Sequence, residues 1–172
     1  MEFSDVIKNR YSCKKFSSEQ IGKDKLDAIL EAGRVAPTAK NLQEQHIYVV
    51  QSESALETID KLTPCRYNAP TVLIVAYNKN NVFTYLGDKR NSGIEDATIV
   101  ATHLMLAAYN EGVDSCWINF FNPDELAKAF NLPEDEEILM LLDIGVADKT
   151  TTPLPNHNSR KALTCLLYTS PS

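Results

Sequence analysis

Residues Gly93–Phe121 read GIEDATIVATHLMLAAYNEGVDSCWINFF. From Ile94 to Tyr109, the residues Ile94, Ala97, Ile99, Val100, Ala101, Leu104, Met105, Leu106, Ala107 and Ala108 put apolar side chains on nearly every face of a helix. A helix that is apolar all round is buried all round, so the pattern predicts a long central core helix. It is too short to span a bilayer, and Glu95, Asp96 and His103 interrupt it. Gly112, behind Asn110 and Glu111, stands where the chain would leave that helix. Asp114–Phe121, with Cys116, Trp117, Ile118, Phe120 and Phe121, then reads as a buried strand. A long buried helix, a glycine turn and a buried strand together indicate a chain of mixed helices and strands.

Outward from this stretch the same alternation continues. Phe3–Asn9 reads as a short helix with Phe3, Val6 and Ile7 on one face. Lys23–Arg34 is amphipathic, with Leu26, Ile29, Leu30 and Gly33 inward. His46–Gln51, Thr71–Tyr77 and Glu137–Val146 read as strands, the last two continuous apolar runs of the kind found inside a sheet. Ser52 is placed to cap a helix ending at Leu62, and Asn122 to cap one that has Pro123 in its first turn. Asn78–Asn91 is polar and reads as a loop, with room for a short helix, at the border of a substrate entrance. The chain is therefore expected to be a three-layer α+β domain with helices on both faces of a sheet.

At 172 residues, with 44% apolar side chains, the chain is long enough for one domain with a real core. The net charge of −6 argues against general binding to nucleic acid or to an anionic membrane, though a local basic pocket could still take an anion. Four widely spaced cysteines, with no CxxC or Cys/His cluster, speak against a metal site or a disulfide framework. No charged-then-apolar leader precedes Phe3, so a reduced, cytoplasmic setting is expected. The common dinucleotide, Walker and hydrolase motifs are missing. His46, His103 and His157 have no ligand partner at metal spacing, and His103 reads as a hydrogen-bonded core residue. Cys116 reads as a buried, inert thiol and Trp117 as core.

Two segments have a chemical flavour of their own. Arg10-Tyr11-Ser12-Cys13-Lys14-Lys15-Phe16 carries three cations and two hydroxyls. It reads either as a solvated basic helix end or as an anion cradle. If extended, residues 10, 12 and 14 face one way, and a guanidinium, a hydroxyl and an ammonium can meet one anion. Val35–Gln43 breaks its helix at Pro37 and is built of small and amide side chains. It reads as an ordinary loop or as a place where backbone approaches a flat ligand.

Taken in order, these pieces resemble the nitroreductase family of FMN-dependent oxidoreductases, over roughly Phe3–Leu163. Arg10–Phe16 is similar to the family's R-x-S-x-(R/K)-x-F signature, and Ala36–Gln43 to its A-P-S-A-x-N-x-Q segment. Asp96, Leu106-Ala107-Ala108, Gly112 and Cys116-Trp117-Ile118 resemble its long helix and following strand, and Ser159-Arg160-Lys161 its basic C-terminal element. The resemblance implies a mostly antiparallel central sheet and a homodimer with FMN at the interface. It implies that Arg10, Ser12 and Arg160 hold the phosphate, beside Tyr11. It puts Lys14 at the pyrimidine edge of the ring, with Pro37, Thr38, Ala39 and Asn41 covering the ring from the other subunit. Cys116, Trp117 and Ile118 then lie near the ring nitrogen that accepts hydride.

No side chain is expected to act as a catalytic acid or base, because the flavin carries the chemistry. The implied activity is hydride transfer from NADH or NADPH to a nitroaromatic or quinone by ping-pong turnover. The alternatives are a flavin-binding protein without turnover and a dehalogenating or flavin-degrading relative. Residues 1–163 are expected to form the single FMN-binding domain. Residues 164–172, TCLLYTSPS, are unlike the family's usual continuation and read as a non-native tail.

Overall fold

The computed structural model describes residues 1–87 and 89–167. Its helices are α1 (Phe3–Asn9), α2 (Lys23–Arg34), α3 (Glu53–Leu62), α4 (Gly93–Asn110) and α5 (Pro123–Ala129). Its strands are β1 (Gln45–Val50), β2 (Thr71–Asn78), β3 (Asp114–Ile118) and β4 (Glu136–Gly145). The sheet runs β1-β2-β4-β3, and every pair of named strands is antiparallel. The fold is α+β, as expected.

The period of a strand explains the layers. Along β2, Leu73, Val75 and Tyr77 join one core with α2 and α4, while Val72, Ile74 and Ala76 join a second on the opposite face, where Ile59 of α3 and Leu126 of α5 pack. Fully burying a residue such as Leu104 or Ile74 contributes about 1.5–3 kcal/mol, so these two cores supply most of the driving force. On the first face α4 approaches so closely that a Cβ added at Gly33 of α2 would fall 2.7 Å from Leu104.

The exit from α4 follows the glycine. Gly112 has φ +68, its N–H bonds to Tyr109 O, and the Val113 N–H reaches back to Ala108 O. That is a Schellman motif, and it turns the chain straight into β3.

Several expectations are corrected. Helix α4 is buried on one face only: Ala97, Val100, Ala101, Leu104 and Ala108 are inside, while Ile94 is 57% and Ile99 38% exposed. Strand β3 ends at Ile118 and not at Phe121, its last rung being Ile118↔Leu141. Beyond it the Thr63 hydroxyl bonds the Phe120 carbonyl (2.6 Å) and the Phe120 residue is 72% exposed. On α1 only Val6 is buried, with Phe3 and Ile7 exposed. Ser52 occupies the cap position of α3 without a side-chain cap bond, whereas Asn122 accepts from the amides of Asp124 and Glu125 as expected. Among the described residues, 78–91 has no helix. It folds back on itself through a Thr84–Asn91 bridge and a Tyr85 N–H to Arg90 O bond. At the C-terminal end, Leu163–Cys165 makes a single 3-10 turn; the expectation of a tail over 164–172 reaches past Leu167, and residues 168–172 lie outside the described residues.

Candidate functional site

The N-terminal segment after α1 runs as an extra rung along the free edge of β3. Ser12 bridges Ser115 in parallel fashion, and the Cys13 N–H bonds Ser115 O at 2.9 Å. Extended backbone alternates its side chains. Cys13 is wholly buried and its thiol donates to Lys15 O, while Ser12 and Lys14 both open into one groove of about 530 Å³. Cys116, Trp117 and Ile118 of β3 line the same groove, with Cys65, Tyr67, Asn119, Phe120 and Leu154. The Trp117 indole N–H is held by Asn119 Oδ1 at 2.8 Å, and its ring packs partly against the α4 core.

A small cavity of about 80 Å³ adjoins this groove, sharing Ser12 and Leu154 and adding Tyr11, Asn156 and His157. The Tyr11 and His157 rings meet edge to face, 6.4 Å between centroids. Burial, then the neighbouring Asp114 carboxylate, raises the Tyr11 phenol above its ordinary value, so it stays neutral. Arg160 turns back on its own segment, donating to His157 O and Ser159 O. Arg10 ends α1, its N–H on Val6 O. Neither Arg10 nor Arg160 lines either cavity, although Arg160 leaves the segment that does.

The floor of the groove is electrostatically unusual. Cys116 pairs across the ladder with Asp143 of β4. Asp143 is fully buried, and among the described residues neither of its carboxyl oxygens has a hydrogen-bond partner. Burial pushes its pKa up to about 9, against the pull of the nearby Arg66 guanidinium. At neutral pH it is an uncharged acid. Burial and then Asp143 push the Cys116 thiol up to about 12, which makes it a poor nucleophile.

The second set of residues lies elsewhere. Pro37, Thr38, Ala39 and Asn41 form a strap between α2 and β1 and line neither cavity named above. The strap follows a left-handed path at three non-glycine residues, Lys40 (φ 52), Asn41 (φ 55) and Gln43 (φ 59). Such conformations persist where their surroundings enforce them. Thr38 Oγ1 accepts the Gln43 N–H, Asn41 O accepts from the Gln43 side chain, and Asp96 Oδ1 accepts the Ala39 N–H at 2.8 Å. Within one chain, then, the predicted residues fall in separate places: a hydroxyl and an ammonium in a groove at the β3 edge, and a small-residue strap bonded to the start of α4.

A groove on a sheet edge that holds a hydroxyl and an ammonium, and a separate small-residue strap hydrogen-bonded to the start of α4, are thus both present in one chain. A profile of the Nitroreductase family matches residues 7–65 and 63–146. This chain belongs to the nitroreductase family. It is 29% identical to YodC of Bacillus subtilis, a protein that carries the name of an NAD(P)H nitroreductase, over 91% of this chain and 93% of that one. The crystal structure of a nitroreductase family protein from Clostridium difficile 630 superposes with a TM-score of 0.91 at 31% identity, covering 98% of both chains. A nitroreductase from Exiguobacterium sibiricum, solved in complex with FMN, shares the fold at 20% identity, with a TM-score of 0.86 over 99% of this chain and 98% of that one.

In this member of the family, sequence reasoning missed several groove residues. Tyr67 sits at φ 52 beside Asn68 at φ 64, so the turn before β2 is left-handed at both residues. Asn68 was the available signal, since asparagine tolerates that region. Phe120 was hidden by being read as strand. His46, without a partner by spacing, does meet a carboxylate: it pairs with Glu136, which also accepts the Tyr48 hydroxyl at 2.5 Å.

Proposed function

We propose that the protein is an FMN-dependent oxidoreductase that passes hydride from NADH or NADPH to an electron-poor acceptor, a nitroaromatic or a quinone, in ping-pong fashion. The observation that carries this reading is that Ser12 and Lys14 open into the same groove as Cys116, Trp117 and Ile118. The residues fit the cofactor. A groove of about 530 Å³ is in the range of small-molecule sites, and its donor set is a hydroxyl and a cation beside neutral, apolar groups. FMN, when bound, supplies the hydride acceptor and donor that no side chain here provides.

The chain's own residues bind and position. Arg10, Ser12 and Arg160 hold the phosphate, with Tyr11 packed beside them, a guanidinium being suited to bidentate contact with phosphate oxygens. Lys14 places a positive charge at the pyrimidine edge, where it favours the electron-rich form of the ring. Cys116, Trp117 and Ile118 form the floor, and the neutral Cys116 thiol brings no competing nucleophile.

Pro37, Thr38, Ala39 and Asn41 reach the ring from a second copy of the chain, and the active form is a homodimer. The outer side of α4, which leaves the large apolar side chains Ile94 and Ile99 exposed, supports that assembly. Residues 1–163 make up the FMN-binding domain, and the enzyme works in the cytoplasm. No described helix is long and apolar enough to cross a membrane.

The test is direct. The purified protein should be yellow, with flavin absorbance released on denaturation, and should oxidise NADH or NADPH steadily when a quinone or nitroaromatic is supplied. A protein that stays colourless after incubation with excess FMN overturns the reading. Bound flavin without steady NAD(P)H oxidation would limit it to a flavin carrier.

A further inference from the structure

Asp96 belongs to the motif of the long helix, yet the function above gives it no task. It stands in the first turn of α4, only 8% exposed, and both of its oxygens are engaged. Oδ1 accepts the Ala39 N–H of the strap (2.8 Å), and Oδ2 accepts the Ser92 hydroxyl (2.7 Å). Ser92, 1% exposed, in turn accepts the Phe83 N–H on its hydroxyl (3.2 Å) and gives its own N–H to Phe83 O (2.8 Å). The loop is closed from above: the Lys40 ammonium lies 4.8 Å from the centroid of the Phe83 ring. One buried carboxylate therefore joins the strap, the folded-back 81–91 segment and α4.

We propose that Asp96 is a positioning residue that locks the 36–43 strap and the 81–91 segment into one preformed unit, ready to cover the cofactor of the partner subunit. The inference rests on the reading of the strap as that cover. The physical argument is the strap itself. Three side-chain-bearing residues in left-handed conformations each raise the energy of the observed path. A path of that kind holds only if something outside it outweighs the alternatives, and Asp96 is the buried, charged acceptor placed to do so. Holding the strap before the ligand arrives removes an ordering penalty from binding. The arrangement also gives the 81–91 segment a role: Phe83 and Ser92 tie its two ends to the same anchor, so strap and segment shift together or not at all.

The experiment uses the purified chain stripped of FMN and then reloaded. Trypsin can cut after Lys40 in the strap and after Arg90 in the 81–91 segment, and these cleavage rates read the local order without any ligand. Asp96→Ala should speed cleavage after Lys40 by about tenfold or more, the scale for losing a hydrogen bond to a charged, part-buried acceptor. It should weaken FMN binding, measured by quenching of flavin fluorescence, by a similar factor. Asp96→Asn, which keeps an acceptor for the Ala39 N–H but loses the charge and the acceptor for the Ser92 hydroxyl, should fall between wild type and Asp96→Ala in both readouts. Ser92→Ala should speed cleavage after Arg90 more than after Lys40, and serves if Asp96→Ala does not fold. Cleavage after Lys40 as slow in Asp96→Ala as in wild type overturns the lock. Faster cleavage with unchanged FMN affinity overturns the positioning role. A wild type that binds no FMN defeats the proposed function, while the cleavage rates alone still decide whether Asp96 locks the two segments.

Discussion

The Lys14 ammonium lies 5.8 Å from the centroid of the Tyr67 ring, across the groove that both residues line. The contact is at the long end of a cation–π interaction, so the ring orients the ammonium without neutralising it. Lys14→Met should therefore lower the midpoint potential of the bound flavin, by tens of millivolts in order of magnitude, because the reduced ring loses a stabilising cation. A spectroelectrochemical titration measures this. An unchanged potential would place Lys14 away from the ring.

Asp143 should set the pH dependence of stability. Its folded pKa is raised to about 9, whereas an exposed aspartate titrates near 4. Between these values the folded state holds a proton that the unfolded state has released. Stability from this group therefore falls as pH rises through that window, by at most about 1.4 kcal/mol per pH unit, and levels off above about pH 9. Asp143→Asn should remove this slope and raise stability at pH 8. Urea melts at pH 5, 7 and 9 give the answer, and parallel curves for the two proteins would refute it.

Much of this fold was legible because its signals are local. The unbroken run of β2 and the glycine exit from α4 each depend on neighbours in sequence, and both appear where the pattern put them. The alternation of Ser12 and Lys14 around Cys13 was legible for the same reason. What was hidden depends on pairing across the chain. Cys116 meets Asp143 only through the strand ladder, and His46 meets Glu136 across 90 residues of sequence. The outer side of α4 misled for a different reason: composition reports that a side chain is apolar, but not whether the same chain covers it. Ile94 and Ile99 are apolar and still exposed.

Gly93 should not tolerate a side chain. A Cβ there would fall within the Tyr77 ring, which is itself buried between β2 and α4. Gly93→Ala should destabilise the protein by about 1–3 kcal/mol, the usual penalty for overpacking a full core. Denaturant titration reads the loss directly. A Gly93→Ala protein as stable as wild type would mean that α4 can shift away from β2 without penalty.

Arg10→Ala should weaken FMN retention while leaving the fold intact, since Arg10 lies at the end of α1 and outside both cores. Losing a charge-assisted, bidentate phosphate contact should raise the dissociation constant about tenfold to a hundredfold. Equilibrium dialysis with free FMN measures it. Full flavin occupancy at dilution would remove Arg10 from the phosphate site.

The outer face of α4 gives the last test, because it links assembly to cofactor binding. Ile94 and Ile99 are exposed on a helix whose other face is buried, and Asp96 of the same helix accepts the Ala39 N–H of the strap. If the strap serves the partner's groove, separating the two copies must also remove the cover from each ring. Ile94→Asp with Ile99→Asp places two charges on that face, and desolvating them at an interface is unfavourable by several kcal/mol. The double variant should elute as a monomer in size-exclusion chromatography with light scattering, keep its helical circular dichroism, and lose its flavin. A monomer that keeps FMN at wild-type affinity would show that the groove alone suffices and that the strap acts within its own chain. A dimer that persists would place the interface elsewhere.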